Sequence, residues 1–194
     1  MTVEEIMAEV RKDVDFYLQS GGGMTLSGGE ILQQAEFGAE LCEAAKAEGI
    51  HTAVETTGFG SEARFQTLIR HVDLLLFDLK HVDQQAHLWG TGVDNTIIVH
   101  NLRLALEQGK NVIGRIPVIP GFNDTLETAQ KLAELAADVG LEEIHLLPFH
   151  QFGEKKYSQL GVPYAMEGVA QLDHGELEAY CHAFVSRGLK CTIQ

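Results

Sequence analysis

Cysteine, proline, tryptophan and basic side chains are all scarce in this chain of 194 residues. It has 3 cysteines, 4 prolines and 1 tryptophan, and 14 lysines and arginines stand against 28 aspartates and glutamates. The resulting formal charge of −14 argues against a nucleic-acid partner, which needs a basic face. Cys42, Cys181 and Cys191 are widely spaced and form no CxxC pair, so they indicate neither a disulfide framework nor a metal site.

Long apolar runs are absent as well. No stretch approaches the roughly 18 to 20 apolar residues of a membrane-spanning helix, and the acidic start Met1 to Glu5 is unlike a basic signal peptide. Hydrophobic residues make up 45% of the chain and charged residues 22%, which is ordinary for a globular protein. We therefore expect a cytoplasmic protein that folds as one domain over residues 1–194, with no membrane partner.

The hydrophobic pattern alternates between strand-length and helix-length segments. Runs such as Leu74–Phe77 are continuously apolar, which is typical of parallel strands buried on both faces. Six strands are predicted, at Met24–Ser27, His51–Thr57, Leu74–Lys80, Val112–Ile119, Glu143–Phe149 and Leu189–Ile193. Helices are predicted at Ala35–Glu48, Glu62–Arg70, Asn95–Gln108, Thr125–Val139 and Gly175–Arg187, and Glu154–Asp173 resembles a long loop.

The number of these units predicts an open α/β fold. A complete eight-unit barrel usually needs about 250 residues, whereas this chain offers five or six units and opens on an amphipathic helix over Met1–Ser20 with no strand before it. The expected fold is therefore an open, partial barrel with a parallel sheet, lacking a first strand.

Polar side chains cluster where the predicted strands end, and ligands of parallel α/β folds bind at those ends. They are Ser27, Gly28, Gly29 and Glu30 after the first strand, Glu55 and Thr56 in the second, Asp78, Leu79 and Lys80 in the third, Arg115 in the fourth and His150 after the fifth. The glycines match neither a phosphate loop nor a dinucleotide fingerprint.

Each of these features also has a structural explanation. The glycines are explained equally well by a tight turn, and Glu30 by a solvated helix start. Asp78 and Lys80 share a face of their strand, so they are either neighbours in a site or an internal ion pair. Arg115 can bind a carboxylate or pair with a strand-end glutamate such as Glu55, and a lone His150 is more often a surface residue.

Five segments taken together resemble the glycyl-radical-enzyme activating enzymes of the radical S-adenosylmethionine (SAM) superfamily, which include pyruvate formate-lyase activating enzyme. They read SGGGMTLSGGE at 20–30, GIHTAVETTG at 49–58, FDLK at 77–80, RIPVIPGF at 115–122 and IHLLPFH at 144–150. Gly153, Lys156 and Tyr157 continue the match. The resemblance extends from residue 3 to about residue 164.

The resemblance implies a partial (βα)6 TIM-like barrel in which a 4Fe-4S cluster reduces SAM. The resulting 5′-deoxyadenosyl radical would take a hydrogen atom from a glycine of a partner glycyl radical enzyme. Flavodoxin or ferredoxin would be the reductant. It further implies that Gly28, Gly29 and Glu30 hold the methionyl amino end of SAM and that Glu55 and Thr56 lie near its carboxylate. Asp78, Leu79 and Lys80 would line the pocket, Arg115 would contact SAM or order the strand ends, and His150 would contact the adenosine.

The CxxxCxxC motif that holds the cluster in this family is absent from the sequence. Cys42, Cys181 and Cys191 lack its spacing, so no cluster is expected to assemble on this chain. We therefore interpret residues 1–194 as the C-terminal portion of a longer family architecture, expected not to cleave SAM alone, and we assign no catalytic residue. Two alternatives are a cluster-free module that binds the partner enzyme and a lyase that forms a Schiff base through Lys80.

Overall fold

The computed structural model describes residues 1–151, 157, 159, 161–164 and 166–194. Six strands, which are hydrogen-bonded neighbours in chain order, form an open sheet. Pairing is parallel between the first and second, the second and third, and the fifth and sixth strands. The strands are β1 (Gly23–Leu26), β2 (His51–Thr56), β3 (Leu74–Asp78), β4 (Asn111–Val118), β5 (Glu143–Pro148) and β6 (Lys190–Ile193). The predicted open, parallel α/β fold is confirmed.

Eight helices accompany the strands in the described ranges. They are α1 (Val3–Val10), α2 (Val14–Ser20), α3 (Ala35–Ala47), α4 (Glu62–Ile69), α5 (Gln84–Thr91), α6 (Thr96–Glu107), α7 (Leu126–Val139) and α8 (Glu178–Val185). At the starts of α1, α4, α5 and α7, the side chains of Thr2, Ser61, Asp83 and Thr125 accept hydrogen bonds from main-chain N–H groups of the first turn. Such capping satisfies donors that have no partner within the helix.

Two details differ from the sequence-based expectation. The predicted helix over Met1–Ser20 is two helices joined by a 3-10 turn at Arg11–Asp13. Helix α5 has no counterpart in the prediction. The predicted loop Glu154–Asp173 lies partly outside the described residues.

The chain divides into two compact units, each with its own core. The first comprises residues 1–78 and 94–114, and the second comprises residues 79–93 and 115–194. In the first unit, buried Phe65 meets buried Phe77 edge to face, with ring centroids 6.2 Å apart. In the second, buried Tyr180 stacks on Phe184 at 6.1 Å. No helix in the described ranges is long and apolar enough to cross a membrane.

Asp73 joins the start of β2 to the turn before β3 in the first unit. Its Oδ2 accepts hydrogen bonds from the N–H and the hydroxyl of Thr52, both at 3.0 Å, and its Oδ1 accepts one from Lys46 Nζ at 2.7 Å. Burial raises the pKa of Asp73, but these donors outweigh burial and hold the pKa below its ordinary value. The ionised carboxylate therefore stabilises the folded chain above the unfolded-state pKa, and this stabilisation is lost as the pH falls through the folded-state value.

We expect Asp73→Asn to lower the free energy of unfolding by about 1 kcal/mol at neutral pH. The difference from wild type should shrink as the pH is lowered from neutral to below the folded-state pKa, because the wild-type carboxyl is then protonated too. Urea unfolding at both pH values measures this, with the exposed Asp138→Asn as control. A deficit of equal size at both pH values would contradict the assigned role of the carboxylate.

Candidate cofactor site

Three polar side chains lie on one face of the first unit where β1, β2 and β3 end. Leu26 is paired with Val54 and Glu55 with Leu76, so Ser27 and Glu55 are register neighbours and Asp78 lies two positions further along the same face. Ser27 Oγ donates a hydrogen bond to Glu55 Oε2. The ends of these strands thus place two carboxylates and a hydroxyl on a common face.

Glu30 ties the turn after β1 to the end of β2. Its Oε1 accepts hydrogen bonds from Thr56 Oγ1 at 2.6 Å and from Leu32 N at 3.1 Å. Its Oε2 accepts hydrogen bonds from Thr57 N at 2.9 Å and from the Thr57 hydroxyl. A carboxylate offers about four acceptor positions, and groups of the same unit occupy four here. Thr56 is buried, and its hydroxyl also accepts a hydrogen bond from Gly58 N.

Gly28 and Gly29 leave the turn between β1 and Glu30 open. Gly28 has a φ of +133°, a main-chain angle that residues other than glycine rarely adopt. A Cβ built on either glycine would meet no heavy atom within 4 Å, and both residues are exposed. The main chain of this turn is therefore accessible to a ligand, and the turn conformation explains why glycine stands at residue 28.

The loop after β2 is also held from α6 by Asn101, a residue absent from the sequence-based prediction. Asn101 is fully buried, and its Nδ2 donates hydrogen bonds to the carbonyls of Gly58 at 2.8 Å and Gly60 at 3.0 Å. Glu30 and Asn101 thus fix two successive parts of this loop. The sequence signal was an amide within an apolar helix, flanked by Ile97, Ile98 and Leu102.

The second unit carries Leu79, Lys80 and Arg115. Leu79 N donates a hydrogen bond to the Arg115 carbonyl at 2.8 Å, and Leu79 is only 4% exposed. The Lys80 carbonyl accepts a hydrogen bond from Asn123 Nδ2 at 2.7 Å. His81, next in the chain, packs against Phe122, and burial lowers the pKa of its imidazole.

His150 lies two residues beyond the end of β5 and is exposed. Gly153 and Lys156, which continue the predicted motif, lie outside the described residues. A groove of about 410 Å³ between α7 and α8 is lined by Gln130, His182, Ser186 and Arg187 among others. It contains none of the predicted ligand-binding residues, and it lies on helices rather than at strand ends.

The cysteines do not form a cluster site. Cys42 is buried within α3, and burial raises the pKa of its thiol to about 11. Cys181 and Cys191 are partly buried in α8 and β6. Among the described residues no group of three or more His, Cys, Asp or Glu side chains is placed to hold a metal ion. A 4Fe-4S cluster needs several thiolates at one place, so it does not fit the residues that the structure describes.

Comparison with known proteins assigns the family. The family model of the radical SAM superfamily matches residues 1–145. The chain belongs to the radical SAM superfamily. The matched range includes every predicted site residue of this radical SAM chain except His150.

Two curated proteins that are similar to this chain are activating enzymes. The chain is 37% identical to (2S)-3-sulfopropanediol dehydratase activating enzyme of Klebsiella oxytoca, covering 100% of the chain and 63% of that protein. It is 39% identical to choline trimethylamine-lyase activating enzyme of Oleidesulfovibrio alaskensis, covering 91% of the chain and 58% of that protein. The chain thus spans about three fifths of these relatives. The resemblance to activating enzymes of glycyl radical enzymes is confirmed.

A solved structure agrees. A domain of pyruvate-formate lyase-activating enzyme from Bacteroides vulgatus superposes with a TM-score of 0.74 at 28% identity, covering 89% of this chain and 99% of that domain. The comparison supports the radical SAM fold over nearly the whole chain.

Proposed function

We propose that this chain is the SAM-binding part of an activating enzyme for a glycyl radical enzyme. The observation that carries the proposal is the radical SAM match over residues 1–145 together with the carboxylates and the open glycine turn at the ends of β1, β2 and β3. The likeness to activating enzymes supports the choice of reaction, and the chain is proposed to form one partial barrel domain over residues 1–194.

The chemistry of SAM fits the donors and acceptors of the first unit. SAM carries an ammonium, a carboxylate, a sulfonium and ribose hydroxyls, so it needs carboxylates, cations and accessible main chain together. The turn at Gly28 and Gly29 would hold the methionyl amino end through its main chain, while Glu30 holds the turn in shape. Glu55 would supply a carboxylate to that end. Asp78 would accept hydrogen bonds from ribose hydroxyls or balance the sulfonium charge.

The resemblance to the family also implies roles for residues of the second unit. Lys80 and Leu79 would line the SAM pocket, with Lys80 as a cation for the carboxylate, and Arg115 would contact SAM or order the strand ends. His150 would contact the adenosine. Thr56 supports the site indirectly, because its hydroxyl is already engaged by Glu30 and Gly58. In a complete activating enzyme, reductive cleavage of bound SAM at a 4Fe-4S cluster would supply the radical that removes a hydrogen atom from a glycine of the partner protein.

A glycyl radical enzyme as partner, and flavodoxin or ferredoxin as reductant, remain proposals that rest on the likeness to activating enzymes. Since the described residues offer no cluster site, SAM binding is the activity assigned to this chain, and cleavage of SAM by the chain alone is not expected. If the chain is instead a cluster-free binding module, it should bind the partner enzyme but not SAM. If it is a lyase, borohydride should trap the Schiff base that Lys80 forms with a carbonyl substrate.

Isothermal titration of the 194-residue chain with SAM tests the proposal. We expect saturable binding that weakens at least tenfold, or about 1.4 kcal/mol, in each of Glu55→Gln, Asp78→Asn and Lys80→Met. Matched controls at exposed positions are Glu36→Gln, Asp138→Asn and Lys12→Met, which should bind as wild type does. Absence of binding at millimolar SAM, or equal losses in the controls, would refute the proposal.

A further inference from the structure

The amide of Asn123 lies at the centre of three hydrogen bonds in the second unit. The residue is fully buried. Its Nδ2 donates to the carbonyls of Lys80 at 2.7 Å and Pro117 at 2.9 Å, and its Oδ1 accepts from Ile119 N at 2.7 Å. Both amide hydrogens are therefore used. The orientation of the amide is fixed, because the flipped group would place its oxygen against two carbonyl oxygens.

One of these bonds joins segments that are far apart in the chain. Asn123 is 43 residues from Lys80, whereas it is only 6 residues from Pro117. One residue before Lys80, Leu79 N donates to the Arg115 carbonyl at 2.8 Å. The main chain of Lys80 is thus anchored on both sides, by β4 at Leu79 and by the Asn123 amide at its own carbonyl. Asn123 therefore helps to fix the position of the Lys80 main chain, from which the side chain extends.

The main chain of Asn123 is itself anchored. Its N–H donates to the Ile119 carbonyl at 3.2 Å, and its carbonyl accepts from the hydroxyl of Tyr180 at 3.1 Å. Tyr180 is buried in α8, and burial raises the pKa of its phenol, so the hydroxyl stays protonated. The main chain that carries the Asn123 amide is therefore itself held in place by hydrogen bonds.

We propose that Asn123 is a positioning residue for Lys80 and Arg115, through the end of β4 and the residues around Lys80. The inference rests on the proposed function, in which Lys80 contacts SAM. A binding group that is held in place before the ligand arrives pays little ordering cost on binding. Loss of the amide would transfer that cost to the binding step and weaken SAM affinity without removing any group that touches SAM.

Asn123→Ala and Asn123→Asp test the inference. The aspartate keeps the acceptor for Ile119 N but loses both donors to carbonyls. Two readouts are taken: the dissociation constant for SAM, and the rate at which acetic anhydride labels Lys80, with exposed Lys12 as internal reference, read by peptide mass spectrometry. We expect about tenfold weaker SAM binding and severalfold faster labelling of Lys80, because its half-buried ammonium loses its fixed position.

Two controls separate positioning from stability. Asn111→Ala removes an exposed amide at the opposite end of β4 and should change neither readout. Ile144→Val removes a buried methyl group at the start of β5 in the same unit, and should lower the melting temperature while SAM affinity and Lys80 labelling stay as in wild type. If Asn123→Ala lowers only the melting temperature, or if Ile144→Val changes both readouts equally, the inference is overturned.

The inference can fail separately from the proposed function. If wild type binds no SAM, the proposed function fails, whereas Lys80 labelling still decides whether Asn123 positions that residue. If neither Asn123 variant folds, the side-chain amide of wild type is measured by NMR. Both Asn123 Nδ2 hydrogens should exchange with solvent at least a hundredfold more slowly than those of Asn111, and comparable exchange would overturn the inference.

Discussion

Gly58→Ala is expected to lower the free energy of unfolding by about 2 to 4 kcal/mol. Gly58 has a φ of +70°, and a left-handed alanine costs about 1 kcal/mol. Its added Cβ would lie 2.2 Å from Cζ of Phe77, a side chain that is fully buried against Phe65. The ring has no free space to retreat into, and such overpacking costs about 1 to 3 kcal/mol.

The effect should extend to the candidate site. Gly58 N donates to Thr56 Oγ1 at 3.0 Å, and its carbonyl accepts from Asn101 Nδ2, so a displaced Gly58 disturbs both contacts that shape the loop after β2. Gly49→Ala is the matched control, because Gly49 has a φ of +73° but a Cβ there meets nothing within 4 Å. It should cost only about 1 kcal/mol. Equal losses for the two variants in urea unfolding would show that the Phe77 contact is unimportant.

Replacement of the Glu30 carboxylate is expected to cause the second-largest loss in the free energy of unfolding. Glu30→Gln places an amide donor where the carboxylate accepts from Thr56 or from Thr57, so a donor then faces a donor. We expect a loss of about 2 kcal/mol in the free energy of unfolding. SAM affinity should also fall about tenfold, because the turn at Gly28 and Gly29 is no longer tied to the end of β2.

A double-mutant cycle with Thr57→Val isolates the contact between the two side chains. The sum of the two single-variant losses in the free energy of unfolding should exceed the loss of the double variant by about 1 kcal/mol. The reason is that the second substitution removes a bond that the first has already weakened. Glu36→Gln, an exposed change in the first turn of α3, should stay within about 0.5 kcal/mol of wild type. Additive losses in the cycle would contradict the described clamp.

The strands and most helices were predictable because their signals are local. Continuous apolar runs such as Leu74–Phe77 mark strands whatever their neighbours are, and Gly49, Gly109 and Gly140 mark helix ends with positive φ values. Among the helices of the described ranges, α5 alone has no predicted counterpart, and its sequence pattern is weak: it contains Gly90, exposes Leu88 and Trp89, and has His87 as its buried residue. Its N-terminal cap, Asp83, resembles a turn residue in the sequence.

The candidate site was predictable in its residue types but not in its contacts. The ends of the predicted parallel strands identify Glu55 and Asp78 as candidate ligand-binding residues, because ligands of such folds bind at the carboxyl ends of strands. Their common face follows only from the strand register of the structure. The use of Glu30 as a loop clamp and of Asn123 as a bridge could not be foreseen. Those roles depend on donors 26 or more residues away for Glu30 and on a partner 43 residues away for Asn123.

The central claim is that the strand ends of this chain bind SAM. An NMR titration of the isotope-labelled chain with SAM tests it most directly, since glycine amides report on the main chain that the ligand is proposed to contact. The account predicts saturable shifts at Gly28 and Gly29, at residues 55–58 and at residues 78–80. No shift at these positions at millimolar SAM, or shifts confined to the groove between α7 and α8, would contradict it.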